Sequence, residues 1–307
     1  MRIVSLLPSA TEIVCELGLG GALVGVSHEC DHPSAVRGLP QLTRSLVPAA
    51  ATGGEIDAAV RDRVHRRQPL YALDADTLAR LAPDLIVTQA LCDVCAVAEE
   101  AVAAVVGRLR PAPRVVNLEP LRLADVLTAH REVAEAAGVP AAGAAATDRL
   151  RRRIDAVSAR SGAVAHRPGV VILEWFDPPF TAGHWSPEIV HLAGGRELLG
   201  RTGEPSRTVA WDDVVVADPD VLVVSCCGFD LPRTRRELPT LAARPGFATL
   251  RCVREGRVIL LDGNAYLSRP GPRLVDALEI VAHALHPQIH PLPPGLAAAE
   301  ILGRSTR

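Results

Sequence analysis

The 307-residue chain contains no lysine; all 33 of its basic residues are arginine. That excludes Schiff-base chemistry, a lysine nucleophile or base, and a P-loop, whose lysine reaches the nucleotide phosphates. Aromatic residues are scarce, nine in all, and there is one methionine. No apolar run approaches the roughly 18 residues that a membrane-spanning helix needs. The start does not read as a secretory signal, because Pro8 stops the short apolar run Ile3-Val4-Ser5-Leu6-Leu7. A net charge of −2 without a basic block argues against nucleic acid as a partner. Seven cysteines (15, 30, 92, 95, 226, 227, 252) in a chain of this length do not form a disulfide-framework pattern. As written, the chain is expected in the cytoplasm, with its cysteines as thiols or ligands. If an N-terminal signal has been removed, the expected location is periplasmic or extracellular.

What is present is a core-forming composition, 48% hydrophobic and 22% charged, enough for one large domain or two of about 150 residues. Apolar strands and amphipathic helices alternate along it. Strands are expected at residues 2–7, 23–26, 71–73, 85–88, 114–118, 170–174, 221–225 and 257–262. Ser9 and Glu12 have capping-box spacing for a helix that stops at Gly18. Glycines 18, 20 and 21 follow that helix, so they mark a turn and no dinucleotide fingerprint is present. Between about Arg122 and Val157 the rhythm gives way to helical spacing, with a kink or break near Pro140. These signals predict an N-terminal α/β lobe over 1–120, a helical connector over 121–165, a C-terminal α/β lobe over 166–287, and a loosely held tail over 288–307. Each lobe should be Rossmann-like with a mainly parallel sheet.

Ligands of open parallel sheets bind beyond the carboxyl ends of the strands, and the distinctive residues lie there. Four of the nine aromatic residues (Trp175, Phe176, Phe180, Trp185) fall within eleven positions. Pro178-Pro179 and Gly183 predict a rigid loop, with Ser186 capping the next helix and Pro187 at its first position. The segment is either a hydrophobic plug or a flat wall for a large ligand, with Glu174 and His184 beside it. Phe229 and Arg269 lie in equivalent loops. His28, Cys30, Cys92, Cys95, Cys226 and Cys227 are candidates for holding a metal ion or an iron–sulfur cluster, with plain packing or a redox pair as the other readings. Cys92 stands where a helix should begin, and its dipole would favour thiolate there. Cys15 and Cys252 read as core. His32, His191 and His283 read as structural.

The opening Arg2-Ile3-Val4-Ser5-Leu6-Leu7-Pro8-Ser9-Ala10-Thr11-Glu12, the central Leu81-Ala82-Pro83-Asp84-Leu85-Ile86-Val87 and the closing Arg269-Pro270-Gly271-Pro272-Arg273 resemble the cobalamin-binding proteins of ABC importers, within the helical-backbone metal-receptor superfamily. The resemblance spans about residues 2–286. It implies the class III substrate-binding architecture: two α/β lobes joined by a long helix, with a ligand cleft between them. His28-Glu29-Cys30-Asp31 and Cys92-Asp93-Val94-Cys95, with Glu174-Trp175 and Gly183-His184-Trp185, are similar to a subgroup without export signals.

Three functions stay open. The first is binding of cobalamin or a related corrinoid metal chelate. The second is a metal- or cluster-binding protein, with an enzymatic role left open, that uses the cysteines. The third is the substrate-binding subunit of an ABC importer, with a permease as partner. No nucleophile–base–orienter set emerges from the spacing, so a binding protein is favoured over an enzyme.

Overall fold

The computed structural model describes residues 1–48, 51–89 and 99–302. They cluster into two compact units. One comprises Met1–Ala51, Glu55–Pro120 and Ala124–Leu150; the other comprises Thr52–Gly54, Leu121–Leu123 and Arg151–Arg307.

The first unit is built from β1 (Ile3–Ser5), α1 (Pro8–Glu16), β2 (Leu23–Val26), β3 (Thr43–Ser45), α2 (Gly53–His65), β4 (Tyr71–Leu73), α3 (Ala75–Leu81), β5 (Leu85–Thr88), α4 (Glu99–Val106), β6 (Arg114–Asn117), α5 (Leu123–Ala136) and the first turns of α6 (Pro140–Ser161). Its main sheet is wholly parallel, in the order β2-β1-β5-β6. The central strands β1 and β5 are buried along their whole length because both faces are covered. On one face Ile13 and Val14 of α1 pack with Ala129 and Val133 of α5. On the other, Leu78 of α3 and Val102 and Val105 of α4 pack with Val4 and Ile86. The strand at 71–73 does not join this sheet; it pairs antiparallel with β3.

The capping box expected at Ser9 and Glu12 is not used. Helix α1 begins at Pro8 after an extended Leu7, with no side-chain cap, and Ser9 and Glu12 are buried within the helix. Proline supplies the start itself, since its φ is pre-set and it has no N–H to satisfy. Near Pro140 the chain breaks: Gly138 turns left-handed (φ 73°), Val139 follows, and α6 starts at the proline.

The second unit continues α6 and adds β7 (Gly169–Phe176), β8 (Pro179–Thr181), α7 (Ser186–Leu192), β9 (Arg196–Glu197), β10 (Arg207–Thr208), α8 (Trp211–Ala217), β11 (Val221–Val224), α9 (Leu231–Ala242), α10 (Arg251–Arg254), β12 (Val258–Leu260), α11 (Arg273–Leu285) and β13 (Glu300–Ile301). The sheet order is β10-β8-β7-β11-β12-β13, with β9 on the start of β7. Strands β7, β11 and β12 run parallel at the centre, and antiparallel strands close both edges. Helix α11 buries nearly all its apolar residues, and its Asp276 and Glu279 hold Arg153 of α6.

Two expectations are corrected in this unit. The aromatic segment is not an irregular loop: β7 runs on to Phe176, turns at Asp177-Pro178 and returns as β8. Trp175 lies opposite Phe180 in that ladder. Cross-strand pairing of aromatic side chains favours the hairpin over a free loop. Nor is the tail wholly loose, because Glu300–Ile301 pairs with β12 and His290 is buried against the Ser161 hydroxyl (3.1 Å).

Candidate functional site

In the first unit, the loop after β2 is fixed by a hydroxyl network. Thr43 Oγ1 donates to Ser27 Oγ (3.0 Å) and accepts the backbone N–H of His28 (3.0 Å). His28 Nδ1 lies 2.7 Å from the same Thr43 oxygen, and its ring sits 5.7 Å from that of Tyr71. The imidazole is half-buried, and burial holds its pKa below the ordinary histidine value. Cys30, two residues on, turns the other way. It is buried in the apolar core, with its sulfur 3.0 Å from Thr11 Oγ1.

In the second unit, the carboxyl ends of β7, β11 and β12 form one cluster. Glu174 accepts from the Ser186 hydroxyl (3.3 Å), from Ser206 through a short contact, and from the backbone N–H of Gly183. Burial nevertheless dominates and raises its pKa to about 7. Ser186 therefore serves Glu174 and does not cap α7, whose cap position is Trp185 without a side-chain bond.

Trp175 is half-buried. Its Nε1–H donates to the carbonyl of Gly53 (3.1 Å), and its ring packs on Phe229 at 4.9 Å, tilted by 52°. Above Phe229 stands the Arg233 guanidinium, 3.8 Å from the ring centroid, within cation–π range. Glu237 steadies this cluster by facing Arg233 (3.5 Å) and accepting the N–H of Gly53 (2.8 Å). A side chain at position 53 would collide with Glu237, since a Cβ there would lie 2.8 Å from its carboxylate.

Behind this surface the loops are tied together. The backbone N–H of Asn264 donates to the carbonyl of Phe229 (3.0 Å), and buried Arg269 donates to Asn264 Oδ1 (2.9 Å). The Trp185 indole donates to the Leu267 carbonyl (2.8 Å). His184 has a left-handed backbone (φ 51°), held by bonds to Glu204 and Gly203. A φ of that sign costs a non-glycine residue on the order of 1–2 kcal/mol. Gly183 beside it lies so close to the Glu204–Ser206 backbone that a Cβ would fall 2.3 Å from the Ser206 nitrogen.

The candidates thus divide. Glu174, Trp175, Phe180 and His184 keep part of their surface open, whereas Phe176, Trp185, Phe229 and Arg269 are buried and brace them. The described cysteines do not assemble as ligands. Among the described residues, no three His, Cys, Asp or Glu converge on a point where they could hold a metal. Cys30 faces the core, while burial pushes the Cys226 thiol well above its ordinary pKa and so away from thiolate. Cys227 is exposed. Cys92 and Cys95 lie outside the described residues. Cys252 is fully buried in helix α10, and its thiol is raised to about 11 by burial.

Sequence reasoning missed Thr43, Gly53, Ser206, Arg233 and Glu237. Only the last two carried a signal, an Arg–Glu pair at i,i+4 spacing on one helix.

Residues 3–265 match the family described as periplasmic binding protein. The chain is 25% identical over 284 residues to a vitamin B12-binding protein of Vibrio cholerae, covering 91% of this chain and 87% of that protein. Its fold is similar to that of the periplasmic vitamin B12 binding protein of Vibrio cholerae (TM-score 0.66, 22% identity, 92% and 96% of the two chains). It also resembles a periplasmic heme-binding protein from Roseiflexus (TM-score 0.70, 24% identity, 93% and 98%) and one from Pseudomonas aeruginosa (TM-score 0.71, 23% identity, 97% of each). With a match across most of its length and an α/β architecture shared with these solved structures, the chain belongs to the periplasmic binding protein family.

Proposed function

We propose that the chain binds a planar metal chelate of the tetrapyrrole class, a corrinoid in the first instance. The observation that carries this reading is the aromatic platform at the end of β7. Trp175 lies opposite Phe180 in the ladder there and is braced from behind by buried Phe229, whose ring Arg233 covers, in a chain whose curated relatives are named for vitamin B12. Large rings bury against such flat apolar walls, with a few polar groups fixing orientation. Glu174 and His184 are the polar groups at hand.

Membership in the family supports delivery of the ligand to an ABC permease as the chain's use. The named solved relatives are periplasmic, which favours an exported location over the cytoplasmic one suggested by the sequence start. No described helix is long and apolar enough to cross a membrane. The cysteine-held metal cluster finds no support among the described residues.

Thermal unfolding with cobalamin and cobinamide tests the reading. Ligand at about 100-fold over Kd adds roughly 2.7 kcal/mol of stability. Trp175→Ala should weaken binding by about 1–3 kcal/mol while leaving the circular dichroism unchanged. Full stabilisation of Trp175→Ala by the ligand would remove the platform from the site.

A further inference from the structure

We propose that residues 287–302 form an acid-released strap: protonation of His290 expels its ring from the second unit and frees the strap from the edge of β12. The proposal is independent of what the chain binds.

The strap is held at two points. At its far end β13 pairs with β12, Leu302 donates its N–H to the Val258 carbonyl (2.9 Å), and Arg235 of α9 meets Glu300. At its near end stands His290, the one residue of 287–302 that is buried; every other is half-buried or exposed. Pro287, Pro291, Pro293 and Pro294 have no backbone N–H to donate, so little local hydrogen bonding holds the segment in place. Ala299 of the strap lines an apolar recess with Val223, Ile259, Leu261, Val281 and Ala284. Loosening the strap opens that recess and leaves β12 as an unpaired sheet edge.

The surroundings of His290 accept a neutral ring and refuse a charged one. Nε2 lies 3.1 Å from the Ser161 hydroxyl, which can act as donor or acceptor. Nδ1 is buried with no partner among the described residues. An imidazolium carries a hydrogen on both nitrogens, so charging the ring would leave one N–H unpaired in the interior. The titratable groups that face the ring repel a proton there: Arg160 at the end of α6, and His283 and His286 at the end of α11. The His286 ring is 6.4 Å away, with its Nε2–H donating to the carbonyl of Gly194 beyond α7 (3.0 Å). His283 Nδ1–H donates to the His290 carbonyl (2.8 Å). Burial first, and then these neighbours, hold the latched ring below the ordinary histidine pKa of 6.5.

The released ring therefore takes up a proton at a higher pH than the latched one. The latch is at full strength above pH 6.5 and weakens as pH falls below it. Opening then rises by up to about tenfold per pH unit until the latched ring itself titrates.

The test is hydrogen exchange of the full chain, read by mass spectrometry at pH 7.5, 6.5 and 5.5 and corrected for the pH dependence of chemical exchange. Protection of peptides covering 287–302 should fall several-fold, up to about tenfold, between pH 6.5 and 5.5, while peptides from β7 and β11 keep theirs. His290→Gln keeps a hydrogen-bonding group toward Ser161 and does not titrate, so its strap should stay equally protected at all three pH values. Glu300→Gln should retain the pH dependence of the parent.

Protection of the parent strap that does not change with pH overturns the proposal. So does a loss in His290→Gln that parallels the parent, or a pH dependence that vanishes in Glu300→Gln. Loss of protection in β7 and β11 in step with the strap also overturns it, because acid would then unfold the whole unit. Should His290→Gln fail to fold, the slow exchange of the His290 ring C2 hydrogen in the parent decides: an apparent pKa below 6.5 supports the latch, and one at or above it overturns the proposal.

Discussion

Replacing Glu174 by glutamine should make the protein more stable above neutral pH. The carboxyl sits among Ser186, Ser206 and the Gly183 N–H, yet burial lifts its pKa from 4.5 to about 7. The folded state therefore binds a proton that the unfolded chain releases. The stabilisation linked to that proton is fully present below about pH 4.5 and is lost as pH rises through 7. At 1.36 kcal/mol per pH unit of displacement, the pH-dependent loss amounts to at most ~3 kcal/mol. Glutamine carries no charge to desolvate and keeps one acceptor oxygen, and both serine hydroxyls can rotate to accept from its amide. Urea unfolding at pH 5 and pH 8 reads the effect. Parent and Glu174→Gln should match within about 1 kcal/mol at pH 5, and the variant should lead by about 1–3 kcal/mol at pH 8. If the variant loses stability with pH as steeply as the parent, or is the weaker of the two at pH 8, the surroundings of Glu174 do not hold a proton on it in the folded state.

Three other outcomes follow from the same structure. Gly183→Ala should destabilise by more than about 2 kcal/mol in denaturant melts, because its Cβ would meet the backbone of residues 204–206, which has little freedom to retreat. Brief alkylation followed by peptide mapping should label Cys227 well before Cys30, Cys226 and Cys252, which are buried; equal labelling of all four would mean that burial does not control their reactivity. Arg153→Met should cost about 1–3 kcal/mol at neutral pH, since Asp276 and Glu279 would be left facing each other half-buried, and adding Asp276→Asn should recover part of that loss.

Much of the architecture was legible because burial on both faces leaves unbroken apolar runs. Leu85–Val87 and Val221–Val224 could only be interior strands of parallel sheets, and their carboxyl ends then pointed to the loops that carry the candidate residues. Local signals misled where a long-range partner competed for the same group. Ser186 looked like a helix cap, but the carboxylate of Glu174, twelve residues earlier, takes its hydroxyl. Ser9 and Glu12 looked like a capping box, but Pro8 alone starts the helix. Pro178-Pro179 suggested a loop, and the Trp175–Phe180 pairing that turns it into a hairpin is a contact that no local spacing announces. Aromatic clustering drew attention to residues 175–185, yet it cannot tell which rings face inward. Phe176 and Trp185 are buried, and Trp175 and Phe180 are the ones partly open. Thr43 could not be found at all, because its role is to hold a histidine fifteen residues away.

Chelate binding stands or falls on equilibrium dialysis of the purified chain against aquacobalamin, cobinamide and hemin. Saturable binding of at least one of them at a single site is expected, with a Kd in the micromolar range or tighter, about −8 kcal/mol or better. Trp175→Ala should weaken that binding at least several-fold. Partition that stays linear up to about millimolar concentrations, where binding is worth only about −4 kcal/mol, for all three chelates would contradict it.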